Sequence, residues 1–476
     1  MKLNMLLDNV PKNLVDIRIS GVACDSRIVK DGFAFVCISG AVQDGHEYAR
    51  QAVEKGATVI ICERSLGLDN EIIVDDGRMT FAQMSAKWFG NPAEELKIIG
   101  ITGTNGKTTV SYLVKAILEA AGHKVGLVGT NQNMVCDEVL PSKNTTPSPY
   151  ELNSLFDIMV KSECDYAVME VSSHALDQNR VAGITFEAAL FTNLSQDHLD
   201  YHVTMENYLL AKKKLFKSAK TGIINADDAA AASIMSGLDC NIKTYSLNKS
   251  DADFYAQDIK YLSDGVSFKM VCANGAADVS LQTAGEFSVY NALCAGSLCS
   301  VLGLDVKIAA DALTGLSGVK GRAEVVPTGK DFTVIIDYAH TPDGLENILN
   351  TFTKIPKNRL VVLFGCGGDR DKGKRAQMGE IAARLADYVI FTSDNPRAEE
   401  PQTIINDILS GVRDTETPYE VIENRVDAIE FAIKNAQPQD IIVLAGKGHE
   451  TYQIIGTGTI HLDEREVVAS AVSKLS

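Results

Sequence analysis

The string Gly103-Thr104-Asn105-Gly106-Lys107-Thr108-Thr109 places glycines, an amine and hydroxyls where a phosphate-binding loop needs them. Glycines let backbone amides turn toward an anion, Lys107 would neutralise β- and γ-phosphates, and Thr108 would offer a hydroxyl to magnesium. The usual spacing puts the first glycine at 101, where this chain has Ile101, so the loop is a shorter variant. A turn that only caps the next helix is the alternative, and on this string alone the reading stops at nucleotide binding. Other candidates are less explicit. Glu170 ends an apolar run, His174, His198 and His202 lie close in sequence, and Lys212-Lys213-Lys214 read unaided as a solvated helix face.

Such residues need elements to position them. KIIGITG reads as a strand passing directly into a helix from Lys107 to about Ala121, with Val110, Leu113, Val114, Ile117 and Leu118 at helical spacing and Gly122 as its C-cap. KVGLVG, DYAVMEV, AALFTNL and TGIINA are further strands, which predicts a mostly parallel sheet with covering helices. Upstream, GFAFVCISG and ATVIICE are strand-like around the helical HEYARQAVEKGA, and a helical stretch from Thr80 to Trp88 ends at the turn Gly90-Asn91-Pro92. Downstream of Pro327, FTVIIDY, RLVVLFG, YVIFTSD and DIIVLAG alternate with helices from Pro342, Lys372 and Pro401, the pattern of a doubly wound sheet. Ligands of such sheets sit beyond the carboxyl ends of strands, which singles out Asp337 to His340, Gly365 to Arg370, Asp394 to Arg397 and Gly446 to Glu450. The expected fold is α/β in three domains. Residues 1–92 form a small α/β domain, 93–326 a central P-loop domain with a mostly parallel sheet, and 327–476 a Rossmann-like domain.

Composition agrees with a globular enzyme: 476 residues, 45% hydrophobic and 22% charged, without a low-complexity tract. A formal net charge of −17 disfavours general nucleic-acid binding, because a polyanion is repelled at long range. The ten cysteines are scattered singly, which suggests neither a disulfide framework nor a zinc site. The apolar patch near the N-terminus is broken by Asp8 and Pro11, and no long apolar run follows, so a cytoplasmic protein without membrane insertion is expected.

GTNGKTT, the NTT at Asn144 to Thr146, EVSSHAL at Glu170 to Leu176 and DHLDYH at Asp197 to His202 together resemble the Mur ligase family. The likeness runs from DSR at Asp25 to Arg27 through GKGHE at Gly446 to Glu450, nearly the whole chain. It implies the family's three-domain architecture and an ATP-dependent amide ligation. The γ-phosphate of ATP passes to a substrate carboxylate, and the resulting acyl phosphate is attacked by an amine, with ADP and phosphate released. Within the family the chain is most similar to the branch that extends UDP-N-acetylmuramoyl-L-alanyl-D-glutamate by the third residue of the peptidoglycan stem peptide.

By that resemblance, Gly103, Thr104, Asn105, Gly106, Lys107, Thr108 and Thr109 bind ATP together with Asn291, Arg322, Asp337 and His340. Thr108 serves one magnesium ion, Glu170 and His198 a second. Lys212 matches the lysine that the family carbamylates, a change that turns a cation into an anion able to help hold metal. From the residues alone, a histidine metal ligand is less usual for magnesium and His174 or His202 would compete. Lys107, Lys212, His198, Glu170 and Arg322 form the implied catalytic set. Where the family more often has GRME, the chain has Gly321-Arg322-Ala323-Glu324, a change expected to be neutral.

The resemblance assigns Cys24, Ser26, Ala41, Val42 and Gln43 to the UDP part of the acceptor, and Asn144, Thr145, Thr146, Ser172, Gln178 and Arg180 to its muramoyl-dipeptide part. Read unaided, the Asp-Ser and Asp-Gly strings of the first group are ordinary turns. Asp394-Asn395-Pro396-Arg397 resembles the DNPR string typical of members that add meso-diaminopimelate, whose second carboxylate a guanidinium can hold bidentately. Addition of L-lysine is the alternative, and a surface ion pair of Arg397 with Glu399 or Glu400 is the structural one. Arg370, Gly446 and Glu450 complete the implied amino-acid site, with Glu450 on the distal ammonium. Competing readings are another ligase of the family, a folylpolyglutamate synthase, or a non-catalytic ATP-sensing switch. DNPR and the DSR-containing first domain argue against the first two, and the presence of Glu170, His198 and Lys212 against the third. Nothing in the sequence asks for an oligomer, so a monomer is expected.

Overall fold

The computed structural model describes residues 1–40, 43–262, 265–412 and 415–475. The chain divides into two compact units, Met1–Tyr245 with Ser297–Leu304, and Ser246–Gly296 with Asp305–Ser476.

In the first unit, Gly21–Ala23, Phe33–Val36, Val59–Cys62 and Glu71–Ile73 form a four-stranded sheet, parallel throughout and in sequence order. Its strands are apolar on both faces: Val22, Ala34, Val36, Val59 and Ile61 enter one core, Ala23, Phe35, Ile60 and Cys62 the other. That is why these segments read as continuous apolar runs rather than alternating ones. HEYARQAVE is a short 3-10 turn, Gly45–Tyr48, followed by a helix, Ala49–Glu54. The next helix spans Gly77–Trp88, three residues earlier than its apolar spacing suggests, because Asp76 Oδ1 accepts from the Met79 amide at 2.9 Å and caps it.

The larger sheet of this unit runs in the order Asn241–Ser246, Ala219–Asn225, Phe186–Phe191, Lys97–Thr102, Tyr166–Glu170, Val125–Val128, all parallel. An antiparallel hairpin, Asn133–Val135 and Glu138–Leu140, extends its edge. Chain order reverses at Lys97–Thr102: the next strand in sequence lies two places away, beyond Tyr166–Glu170, while Phe186–Phe191 flanks the other side. Such a switch point opens a crevice at the carboxyl end of the strand. The helix Lys107–Ala120 leaves from that point and buries Val110, Leu113, Val114, Ile117 and Leu118, each worth about 1.5–3 kcal/mol relative to exposure. Gly122, at φ 89°, ends it.

The second unit holds an antiparallel meander, Phe254–Tyr261, Val266–Cys272 and Gly275–Leu281, which the sequence reading did not anticipate. Polar residues stand between the buried ones in its strands, as in VSFKMVC, where Val266, Phe268 and Met270 are buried and Ser267 and Lys269 only half-buried, so no long apolar run marks them. A six-stranded sheet follows, ordered Glu324–Val326, Thr333–Asp337, Ile441–Ala445, Leu360–Phe364, Tyr388–Phe391, Tyr419–Val421, parallel except for its first strand. Helices Pro342–Thr353, Gly373–Leu385 and Pro401–Leu409 pack on one face, Arg425–Lys434 and Glu464–Ser473 on the other. No helix among the described residues is long and apolar enough to cross a membrane.

Candidate active site

The phosphate loop is built by the strand below it and by the neighbouring strand's exit. Gly103 has φ 151°, and a Cβ there would lie 1.9 Å from Thr192 Oγ1, so no side chain fits. Thr192 Oγ1 donates to the Asn105 carbonyl at 2.6 Å, the Asn105 amide donates to Asn193 Oδ1 at 2.9 Å, and the Thr104 amide donates to the Asn193 carbonyl at 2.9 Å. Thr192-Asn193 thus moulds the loop, a role that only pairing of the two strands shows. Gly106, at φ 86°, leads into the helix whose first residues are Lys107, Thr108 and Thr109. Lys107 Nζ donates to the carbonyls of Gly103 and Thr104, both at 2.8 Å, and so lies across the loop where phosphate charge would be met.

Around this loop the structure gathers two groups. In one, Thr108 Oγ1 donates to Glu170 Oε2 at 2.9 Å, and Thr130 donates to both carboxylate oxygens of Glu170, through its amide at 2.8 Å and its hydroxyl at 3.0 Å. A hydroxyl and a buried carboxylate side by side at a helix N-terminus are the hard oxygen donors that magnesium takes. In the other, Lys212 Nζ, buried, donates to the Gly103 carbonyl at 2.8 Å and lies 4.3 Å from the centre of the Tyr208 ring. Tyr208 is in hydrogen-bond contact with Thr104 through its hydroxyl at 3.2 Å, and its ring is 6.1 Å from that of His198. Burial, then the nearby Lys107, push the Lys212 ammonium well below its ordinary pKa. A neutral amine is the form that reacts with carbon dioxide, so the site fits the carbamate implied above. Lys213 and Lys214 are separated from it by the helix period: Lys213 reaches the Ser233 carbonyl and Lys214 pairs with Asp177, both at 2.8 Å.

His198 sits at φ 54°, a left-handed conformation rare for a residue with a side chain and one that clusters at functional sites. Its side chain is 45% exposed, yet partial burial together with His174, Lys107 and Lys212 lowers its imidazole to about 4, against the pull of Asp197. The ring packs edge-on against His174, 4.7 Å between centres, whereas His202 is turned away to Ser173 Oγ at 2.9 Å. Among the described residues no three His, Cys, Asp or Glu side chains converge as a ready metal cluster.

The acceptor candidates also lie in the first unit. Thr146 Oγ1 donates to the Glu170 carbonyl (2.9 Å) and accepts from the Ser172 amide (3.0 Å), and Thr145 Oγ1 meets Thr130 Oγ1 at 3.0 Å, so the Asn144 to Thr146 segment is tied to the Glu170 group. Asn144 itself is exposed and lines an open cleft with Lys143, Tyr150 and Glu151. Arg180 donates to Gln178 Oε1 at 2.8 Å and to the Thr146 carbonyl at 2.9 Å; burial, then Arg78, lower its pKa. Asn179 Nδ2 donates to Asp76 Oδ2 at 3.1 Å, which holds this turn against the helix that carries Arg78. Ser26 donates to Gln51 at 2.9 Å, burial raises the Cys24 thiol to about 11, and Gln43 is exposed. Ala41 and Val42 lie outside the described residues.

The remaining candidates belong to the second unit. Asn291 is buried on the helix Glu286–Gly296. The Arg322 guanidinium stacks 4.7 Å from the centre of the Tyr338 ring, and Asp337 accepts from the amides of Ala323 (2.7 Å) and Ala339 (2.8 Å). Burial raises Asp337 despite Arg322 and those amides. His340 is exposed, with its ring nitrogen 2.8 Å from the Tyr338 carbonyl. Ala323 adopts φ 45° in a buried spot, which a small side chain suits. Arg370 is exposed, next to Asp369 at φ 53°. Arg397, also left-handed at φ 53°, donates to the Gly368 carbonyl at 2.7 Å and pairs with neither Glu399 nor Glu400. Glu399 is instead held by Arg375 at 2.9 Å and drawn down to about 2. Asn395 Nδ2 donates to Glu450 Oε2 at 3.0 Å, and Asp394 faces Gly446, where a Cβ would sit 2.7 Å from Asp394 Oδ2. The structure therefore brings together Asp394, Asn395, Arg397, Gly446 and Glu450, with buried Pro396 between them. Sequence reasoning singled out Gly446 to Glu450 without giving Lys447 a role, and it missed Tyr208, Thr130 and Thr192-Asn193.

A phosphate loop at the switch point of a parallel sheet and a separate doubly wound sheet bearing a charged loop cluster define a multi-sheet α/β enzyme of the nucleotide-binding class. Residues 18–84 match the Mur ligase family catalytic domain, 101–299 the Mur ligase middle domain and 321–448 the Mur ligase glutamate ligase domain. The chain belongs to the Mur ligase family. It is 46% identical to a UDP-N-acetylmuramoyl-L-alanyl-D-glutamate--2,6-diaminopimelate ligase of Clostridium acetobutylicum, with 100% of both chains covered. It is 45% identical to the enzyme of the same name from Bacillus licheniformis, covering 100% of this chain and 99% of that one. A solved structure of a protein with that name is 34% identical and superposes with a TM-score of 0.74, covering 99% of each chain.

Proposed function

We propose that this protein joins meso-diaminopimelate to UDP-N-acetylmuramoyl-L-alanyl-D-glutamate at the expense of ATP, as the full-length relatives are named for doing. The observation that carries the substrate reading is the Asp394 to Arg397 loop, where Arg397 pairs with neither Glu399 nor Glu400 and the Glu450 carboxylate is held 3.0 Å from Asn395. A guanidinium and a carboxylate in one loop cluster match a side chain that ends in both a carboxylate and an ammonium. L-Lysine would offer only the second.

ATP is bound by residues 103–109, with Lys107 and the helix N-terminus meeting phosphate charge, and Asn291, Arg322, Asp337 and His340 are assigned to the nucleotide as the family resemblance implies. Thr108 would hold one magnesium ion, and Glu170 with His198 and a carbamylated Lys212 a second; the metal would supply charge neutralisation on the transferred phosphoryl group. Cys24, Ser26, Ala41, Val42 and Gln43 bind the UDP end of the acceptor, and Asn144 to Thr146, Ser172, Gln178 and Arg180 its peptide end. The acceptor carboxylate takes the γ-phosphoryl group, and the amine of diaminopimelate displaces phosphate from the acyl phosphate. We assign the acceptor, ATP and amino-acid roles to residues 1–92, 93–326 and 327–476, and place the enzyme in the cytoplasm as a monomer. The test is phosphate release with ATP, magnesium and the acceptor, comparing meso-diaminopimelate with L-lysine. Turnover with diaminopimelate alone is expected; equal or better turnover with lysine would overturn the specificity, and silence with both would overturn the reaction.

A further inference from the structure

The strand Ile441–Ala445 leads into a turn in which Lys447 is bracketed by two left-handed glycines, Gly446 at φ 110° and Gly448 at φ 52°. Side chains are excluded at both: a Cβ on Gly448 would lie 2.6 Å from Tyr338 Cβ, and one on Gly446 would press on Asp394. This path turns Lys447 inward, and its side chain is 0% exposed. Lys447 Nζ donates to Glu450 Oε2 at 2.8 Å and to Asn395 Oδ1 at 3.0 Å, and Asn395 Nδ2 donates to the same Glu450 oxygen at 3.0 Å. Asn395 Oδ1 also accepts from the Ile454 amide at 2.9 Å. Both donors converge on Oε2, so Oε1, on a side chain still 13% exposed, is the oxygen presented outward.

Burying an ammonium is costly, and an apolar residue of the same shape would support a fold at least as well. A lysine at this place therefore asks for a reason beyond packing. We infer that Lys447 is a positioning residue for the amino-acid substrate: it locks the Glu450 carboxylate and the Asn395 amide so that Oε1 meets the ammonium of the incoming side chain. Its charge also offsets that of Glu450, so the cluster gives no advantage to a purely cationic side chain over one that carries a carboxylate as well. The inference rests on the diaminopimelate reading above.

The test measures KM for ATP, acceptor and diaminopimelate in the wild type, Lys447→Met and Lys447→Arg, with L-lysine as a competing substrate. In Lys447→Met, KM for diaminopimelate rises about tenfold or more, which is ~1.4 kcal/mol. The other two KM values stay within about twofold of wild type, the preference over lysine shrinks, and Lys447→Arg lies between. A methionine variant with wild-type KM and preference, or one in which all three KM values rise together, overturns the inference. Should that variant not fold, Lys447→Gln is judged by the same criteria. A wild type that does not use diaminopimelate overturns the underlying function instead, and the two failures are thereby distinguished.

Discussion

Gly103 has room for a hydrogen and nothing larger, since Thr192 Oγ1 occupies the place of a Cβ. Gly103→Ala is expected to abolish ATP-dependent phosphate release while leaving a folded chain by circular dichroism, because the loop must then abandon the carbonyl geometry that seats both Lys107 and Lys212. The loop was legible in the sequence, as glycines and a lysine between a strand and a helix have few other uses. Lys212 was legible only through the family resemblance: read unaided, three consecutive lysines look alike until the helix turns one of them inward. Lys212→Ala should lose most turnover and regain part of it with added acetate, whose carboxylate would stand in for a carbamate; full activity without acetate would show that no such group is needed. In the second unit, Arg397→Lys should lower kcat/KM for diaminopimelate by about tenfold or more, because an ammonium cannot make the two parallel bonds of a guanidinium.

The last two helices of the second unit are locked to its sheet by a buried pair. Arg425, at the start of Arg425–Lys434, donates to Glu464 at 2.8 Å and to the Ala445 carbonyl at 2.8 Å, and neither charged side chain is exposed. Glu464→Ala leaves Arg425 uncompensated and should cost roughly 3–5 kcal/mol in denaturant unfolding, whereas a double replacement by apolar residues should cost far less. The turn that follows the strand Ile441–Ala445 contains His449, lowered to about 4 by burial first and then by Arg322, Arg465, Lys320 and Lys447. The unfolded imidazole takes up its proton near pH 6.5 while the folded one does not until about 4, so stability falls with pH through that window. His449→Gln should flatten the acid limb of the thermal stability profile between those values; an unchanged limb would show that other groups set it. Neither feature was readable beforehand, since Arg425 and Glu464 are far apart in sequence and look like surface charges on amphipathic helices.

At the scale of the molecule, the −17 charge governs long-range behaviour. Duplex DNA at physiological salt should give no mobility shift, and sedimentation should report a species near 51.3 kDa; a stable dimer would overturn the monomer assignment. Strand order at this scale brings the phosphate loop to the switch point of its sheet, and parallel pairing brings the Asp337, Gly365, Asp394 and Gly446 loops to one end of theirs.

The sequence by itself determined the α/β class, most of the parallel strands and their helices, the phosphate loop and the family, because each is written in local apolar periodicity, turn residues or contiguous strings. It did not reveal the antiparallel meander of residues 254–281, whose interspersed polar residues leave no long apolar run. Only the tertiary structure decided which of the Lys212 to Lys214 amines is buried, that Arg397 escapes its neighbouring glutamates while Arg375 captures Glu399, and that Lys447 grips Glu450 from below. Those outcomes depend on which distant segment occupies the space beside a side chain, and burial and partners, unlike periodicity, are properties of the folded chain.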